Sequence, residues 1–267
     1  MLSGKIKSIQ TLLTSYDSVL VALSGGVDSS VLLKLAVDCL NCDQVLAATA
    51  HSEISTPKEL ELAAQVAQIC KVEHKIVYLS ELEVPEFVAN PPERCYYCKL
   101  NRFRLLQKLA AQQGLQVVAD GSNQSDQGDY RPGIKALTEL GIRSPLLECG
   151  FTKDEIRELA RTLGLPNWNQ PSNACLASRF PYGTPITAKK LSQVAQGEEL
   201  LHSLGLTCCR LRHHGTMARI EVPPAQFSFF LDPARNQSVV TSIKNLGFAY
   251  VTLDLQGYRT GSLNEVI

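Results

Sequence analysis

The chain has 267 residues, room for one large or two modest domains with real cores. Twenty-six basic side chains balance 26 acidic ones, and zero net charge excludes a broad electrostatic footprint on nucleic acid, leaving only a local basic groove open. A hydrophobic content of 45% excludes disordered, collagen-like and coiled-coil classes. No apolar run reaches the length of about 20 residues that a membrane helix needs. The start, Met1 to Lys7, leads into an amphipathic helix without a signal peptide's apolar core, so a cytoplasmic protein is expected. Nine cysteines, an odd number, point in a reducing compartment to metal or catalytic use rather than to a disulfide framework.

In chain order, hydrophobic periodicity predicts a helix over 5–16, a strand over 18–23 and a helix over 29–40. A strand at 44–50, a helix at 59–70 after Thr56-Pro57, and a strand at 74–78 follow. A proline-rich stretch (Pro85, Pro91, Pro92) precedes a helix at 96–113 and a strand at 115–119. This alternation means a parallel, doubly wound α/β sheet with helices on both faces. Thr152 and Glu155 have capping-box spacing, which starts a helix at 152–163. From about residue 182 the pattern changes. A helix at 187–204, strands near 207–213 and 217–222, a helix at 235–246 and a strand at 248–254 predict a smaller α+β domain. The expected division is 1–180 and 181–267.

Ser24-Gly25-Gly26-Val27-Asp28-Ser29-Ser30 follows the apolar run Val19–Leu23 and opens a helix. Paired glycines let the backbone approach a ligand closely, and the helix start aims N–H groups and a positive dipole end at an anion. Ser24, Ser29 and Ser30 add hydroxyls, and Asp28 suits a cation such as Mg²⁺. The Gly-Lys-Ser/Thr ending of the Walker A loop is missing. The segment instead resembles the PP-loop of enzymes that split ATP into AMP and pyrophosphate. Ligands of parallel sheets sit at the carboxyl ends of strands. The segments at 24–30, His51-Ser52-Glu53 and 120–126 all lie at such ends. Gly121, in Asp120-Gly121-Ser122-Asn123, joins the candidate nucleotide site; Asp126, Asp129 and Arg131-Pro132-Gly133 extend this polar loop, whose carboxylates suit Mg²⁺ or a plain solvated turn.

Cys95-Tyr96-Tyr97-Cys98 has the spacing at which two thiolates reach one metal or cluster. A redox pair, a structural zinc, a cluster completed by a third thiolate such as Cys175, and inert packing all compete. Cys175, with Arg179 close in sequence and Pro171 before it, is a candidate nucleophile. Cys39, Cys42, Cys70 and Cys149 read as structural, and Cys208-Cys209 as strand neighbours facing opposite ways. In the C-terminal part, Arg210 and Arg212 alternate onto one strand face and suit a phosphate or carboxylate. Glu198, Glu199 and Glu221 are either a metal site or ordinary surface.

The chain resembles the LarE family of the PP-loop superfamily over nearly its whole length. The resemblance rests on Leu23–Ser30, Asp120–Asn123, Arg131-Pro132-Gly133, Cys175-Leu176-Ala177-Ser178-Arg179-Phe180-Pro181-Tyr182-Gly183, and the closing Asp254–Ser262. It implies an adenine nucleotide alpha hydrolase-like fold and an ATP-dependent sulfurtransferase. Such enzymes adenylate a pyridinium carboxylate mononucleotide, release pyrophosphate and form a thiocarboxylate for the nickel-pincer cofactor of lactate racemase. One branch of the family sacrifices the sulfur of a single cysteine at the position of Cys175. The other holds a [4Fe-4S] cluster on three cysteines, and Cys95, Cys98 and Cys175 resemble that branch. The implied partners are ATP with Mg²⁺ and a small nucleotide substrate, in a homo-oligomer, with neither membrane nor nucleic acid. A tRNA-thiolating enzyme and an amide-forming ATP pyrophosphatase are the competing readings.

Overall fold

The computed structural model describes residues 2–128, 132–170, 174–259 and 262. Asp129, Arg131 and Pro171, and Thr260 and Gly261 within Asp254–Ser262, all named above, lie outside the described residues. The chain divides into two compact units, residues 1–81 with 93–173, and residues 82–92 with 174–267. The proline-rich stretch thus belongs to the second unit, and residue 180 lies inside that unit rather than at its edge.

The helices are α1 (Leu2–Thr14), α2 (Val27–Cys39), α3 (Pro57–Cys70), α4 (Pro85–Val88), α5 (Arg94–Gln112), α6 (Pro132–Glu139), α7 (Pro145–Glu148), α8 (Lys153–Thr162), α9 (Ala188–Ser203) and α10 (Pro233–Asn245). The strands are β1 (Val19–Ala22), β2 (Val45–His51), β3 (Glu73–Tyr78), β4 (Val117–Ala119), β5 (Arg210–His214), β6 (Met217–Glu221) and β7 (Tyr250–Leu253). The short α4, α6 and α7 span one or two helical turns, too few residues to show a period in the sequence.

In the first unit the order β3-β2-β1-β4 is parallel throughout. Alternation along β1 feeds two cores. Val19 and Val21 join Leu13, Val31, Leu32 and Ile156 on one face, whereas Leu20 joins Leu46, Phe103, Leu106 and Leu137 on the other. This two-sided burial gives the doubly wound class. The chain steps from β1 outward to β2 and β3, then returns to pair β4 on the opposite side of β1. The order therefore reverses between β1 and β4, and such a switch point opens a ligand crevice beyond the strand ends.

In the second unit β5 and β6 pair antiparallel, and α10 carries the chain across so that β7 lies parallel to β6. The segment 82–92 is tied in by backbone. Ile186 N–H donates to Val88 O at 3.0 Å and Gly183 N–H to Asn90 O at 2.8 Å. Fully buried Asn90 donates from Nδ2 to Pro181 O and Thr184 O at 2.8 and 3.0 Å.

Candidate functional site

The loop after β1 is braced from within. Ser24 N–H donates to Ser29 Oγ at 3.2 Å, Ser29 Oγ donates to Gly26 O at 3.1 Å, and Gly26 N–H donates to Ser24 Oγ at 3.3 Å. Gly25 has φ +80°, and a Cβ there would lie 2.3 Å from Glu59 O, so only glycine fits. Gly26 caps α2 at its N-terminus. Ser30 is fully buried, donates to Gly26 O at 2.8 Å and accepts from Asn167 Nδ2 at 2.9 Å. Its hydroxyl is thus spent inside the loop. Sequence reasoning missed Asn167, itself fully buried, which also donates to Gly25 O at 2.8 Å.

The loops after β1 and β4 meet at the switch point. A Cβ on Gly121 would come within 2.7 Å of Ser29 N, so its missing side chain lets the two loops touch. Asn123 Nδ2 donates to Asp28 Oδ1 at 3.3 Å, and Lys153 Nζ pairs with Asp28 Oδ2 at 2.5 Å. Burial raises the Asp28 carboxyl above its usual range, against the opposing pull of Lys153. Asp120 accepts from Ser122 and Ser144 and pairs with Lys99 at 3.1 Å. After β2, Ser52 Oγ accepts from Arg102 at 2.8 Å.

Cys95 and Cys98 sit in the first two turns of α5, three residues apart and so on one helix face. Cys98 Sγ lies 3.7 Å from Oε1 of fully buried Glu81, which also pairs with Arg102. That donor pair fits two ligands of an iron–sulfur cluster; Cys175, the third thiol of the set, belongs to the second unit. Among the described residues, no three His, Cys, Asp or Glu side chains form a ready metal site.

In the second unit Cys175 caps a 3₁₀ turn, Leu176–Arg179. Arg179, 1% exposed, binds Ala174 O at 2.6 Å and Cys175 O at 3.0 Å and forks onto Glu198, with both contacts at 2.8 Å. Ser178 Oγ donates to Cys175 O at 2.8 Å. The polar residues around Cys175 therefore shape its backbone. Arg210 and Arg212 do share β5, both buried. Arg210 stacks on Tyr258 with 5.1 Å to the ring centre, and burial lowers its pKa. Arg212 donates to Glu221 at 2.7 Å, Ser262 Oγ at 3.0 Å and Ser178 O at 2.8 Å. Glu198 and Glu221 are thus consumed by Arg179 and by Arg212 with Arg219, whereas Glu199 is exposed. Cys208 and Cys209 precede β5 rather than lying in it; Cys208 has φ +54°, and burial pushes the Cys209 thiol up to about 12.

Residues 6–120 match the asparagine synthase family. An uncharacterised protein of Synechocystis sp. is 43% identical over 267 residues, covering 100% of this chain and 99% of that protein. A probable tRNA sulfurtransferase of Methanothermobacter thermautotrophicus is 31% identical over 70% of this chain and 50% of its own length. The pyridinium-3,5-bisthiocarboxylic acid mononucleotide synthase of Lactiplantibacillus plantarum is 40% identical over 266 residues, covering 100% of this chain and 96% of that enzyme. A match of that depth spans both units, and the chain therefore belongs to the family of this synthase, the LarE family.

Proposed function

We propose that the chain is an ATP-dependent sulfurtransferase that converts a carboxylate of a pyridinium mononucleotide into a thiocarboxylate, for the nickel-pincer cofactor of lactate racemase. The full-length match to the bisthiocarboxylic acid synthase carries this reading. The geometry supports it with a braced glycine loop at the switch point of a parallel sheet.

The chemistry runs in two displacements. A carboxylate oxygen attacks the α-phosphorus of ATP, the bond to the β-phosphate breaks, and pyrophosphate leaves with the electron pair. A sulfur nucleophile then attacks the acyl carbon, and AMP leaves. The first turn of α2 and the hydroxyls of Ser24 and Ser29 face the phosphates. Asp28 holds their Mg²⁺, and Gly121 keeps the neighbouring loop close. Arg210 takes the phosphate or carboxylate of the substrate, and Arg212, committed to Glu221, Ser262 and Ser178, holds β5 in place beside it. Cys95, Cys98 and Cys175 are the thiolates that would hold a [4Fe-4S] cluster, with Cys175 indispensable to the sulfur step. Held by those three thiolates, such a cluster would supply one iron without a protein ligand, open to external sulfide. The reading includes a homo-oligomer, measurable by sedimentation.

The test is pyrophosphate release with ATP, Mg²⁺ and a pyridinium carboxylate mononucleotide. Release should depend on that substrate and fall by at least about a hundredfold in Asp28→Asn, the range for losing a metal-held phosphate clamp. Substrate-independent release, or release unchanged in the variant, overturns the site.

A further inference from the structure

The loop that cradles the phosphates contains no basic residue. ATP carries its charge mostly on the β- and γ-phosphates, and a helix start and serine hydroxyls neutralise only part of it. The fold delivers a cation from a distant element. Lys153 is the first residue of α8, and its Nζ sits on Asp28 Oδ2 in the first turn of α2. Its side chain is 24% exposed, and that of Asp28 is 22% exposed, so the pair is set in the wall yet reachable.

Several contacts fix the Lys153 backbone there. Thr152 caps α8 and accepts from Glu155 N–H, while Glu155 answers at Thr152 N–H at 2.8 Å. Lys5 grips Glu155 at 2.8 Å and Gly150 O at 2.7 Å. Lys153 N–H donates to Ser125 Oγ at 3.0 Å, and Gln124 N–H to Phe151 O at 2.8 Å. Those bonds join the start of α8 to the loop after β4, which itself touches Asp28 through Asn123. One bond on the Lys153 backbone and five on its neighbours hold the start of α8 in place, more than a surface ion pair requires.

We propose that Lys153 is a catalytic residue of the adenylation step, the phosphate-binding cation that the loop lacks. Without nucleotide it rests on Asp28. With Mg-ATP, Asp28 turns to the metal and Lys153 to the β- and γ-phosphate oxygens. There it offsets the charge that gathers on pyrophosphate as the bond to the α-phosphorus breaks. The proposal rests on the assignment of residues 24–30 to the ATP phosphates. It adds a residue 125 positions along the chain and a reason why the loop can do without a lysine of its own.

Calorimetry with Mg²⁺ and either α,β-methylene-ATP or AMP tests it on the full chain. Lys153→Met and Lys153→Gln should each bind the triphosphate analogue at least about tenfold more weakly, the range for losing one charge-assisted contact. AMP affinity should stay within about twofold, since AMP lacks both phosphates. Lys153→Arg should recover part of the loss. Equal triphosphate affinity in Lys153→Met and wild type overturns the role of Lys153 and leaves the loop assignment standing. Parallel loss of AMP and triphosphate binding overturns it too, by making Lys153 a structural strut. Wild-type protein that binds AMP but not the triphosphate overturns the loop assignment and this proposal with it.

Discussion

Asp28 is held in its folded setting by opposing forces. Burial raises its carboxyl pKa, and Lys153 lowers it by less. A carboxyl whose folded pKa exceeds its unfolded value stabilises the fold only below the unfolded value and loses that contribution as pH rises through the folded one. At neutral pH the ionised Asp28 is therefore a net burden on the ligand-free fold. Asp28→Asn should melt at the same temperature as wild type or higher at pH 7, while failing to release pyrophosphate; calorimetric melting checks the first part. A melting point well below wild type would contradict this electrostatic reading. Asn167 behaves in the opposite way. Its amide ties Gly25 O and Ser30 Oγ from fully buried positions, so Asn167→Ala should cost about 1–3 kcal/mol and weaken nucleotide binding. Urea unfolding with and without AMP measures both.

At the scale of elements, the glycine loop and its strand were legible because local chemistry dictates them. Gly25 needs its positive φ, and α2 needs its cap. The two residues that complete the site were not legible. Lys153 is 125 positions from Asp28, and Asn167 is 142 from Gly25, and no local period encodes such separations. The capping box of α8 was readable, but which loop it would face was not. Arg212 gives a sharper lesson. Two arginines on one strand face read as a free ligand pair, yet Arg212 is bonded to Glu221, which is fully buried. Arg212→Ala should therefore destabilise the second unit by at least about 2 kcal/mol, short of the full penalty for a stranded buried charge because Arg219 and Ser262 still serve Glu221. Denaturation must accompany any affinity measured on that variant. On the same strand His213 lies between Phe180 and Phe248, with ring centres 5.3 and 5.2 Å away. Burial lowers the pKa of His213 and His214. Groups with a depressed folded pKa stabilise above their unfolded value, so stability should fall as pH drops from about 6.5. His213→Phe should flatten that decline in a series of melting curves; an unchanged slope assigns it elsewhere.

For the whole molecule, the α/β class followed from strand–helix alternation, and the closing α+β pattern followed from its loss. What periodicity left out was the excursion of residues 82–92 into the second unit, fixed by the Asn90 amide and two backbone bonds rather than by any apolar repeat. The cysteines divide between the units in the same way, Cys95 and Cys98 in the first and Cys175 in the second. If the three serve one cluster, each Cys→Ser variant should lose the visible absorption of anaerobically reconstituted protein. Retention of that absorption in Cys175→Ser would leave Cys175 as a separate thiol. The most direct measurement is mass spectrometry of the product made by reconstituted protein from ATP, Mg²⁺, sulfide and a pyridinium carboxylate mononucleotide. The account predicts a thiocarboxylate, formed in more than one equivalent per chain, with AMP and pyrophosphate in step with it. ATP cleaved to AMP with no sulfur in the product, or an amide formed when ammonia is supplied instead, would contradict it.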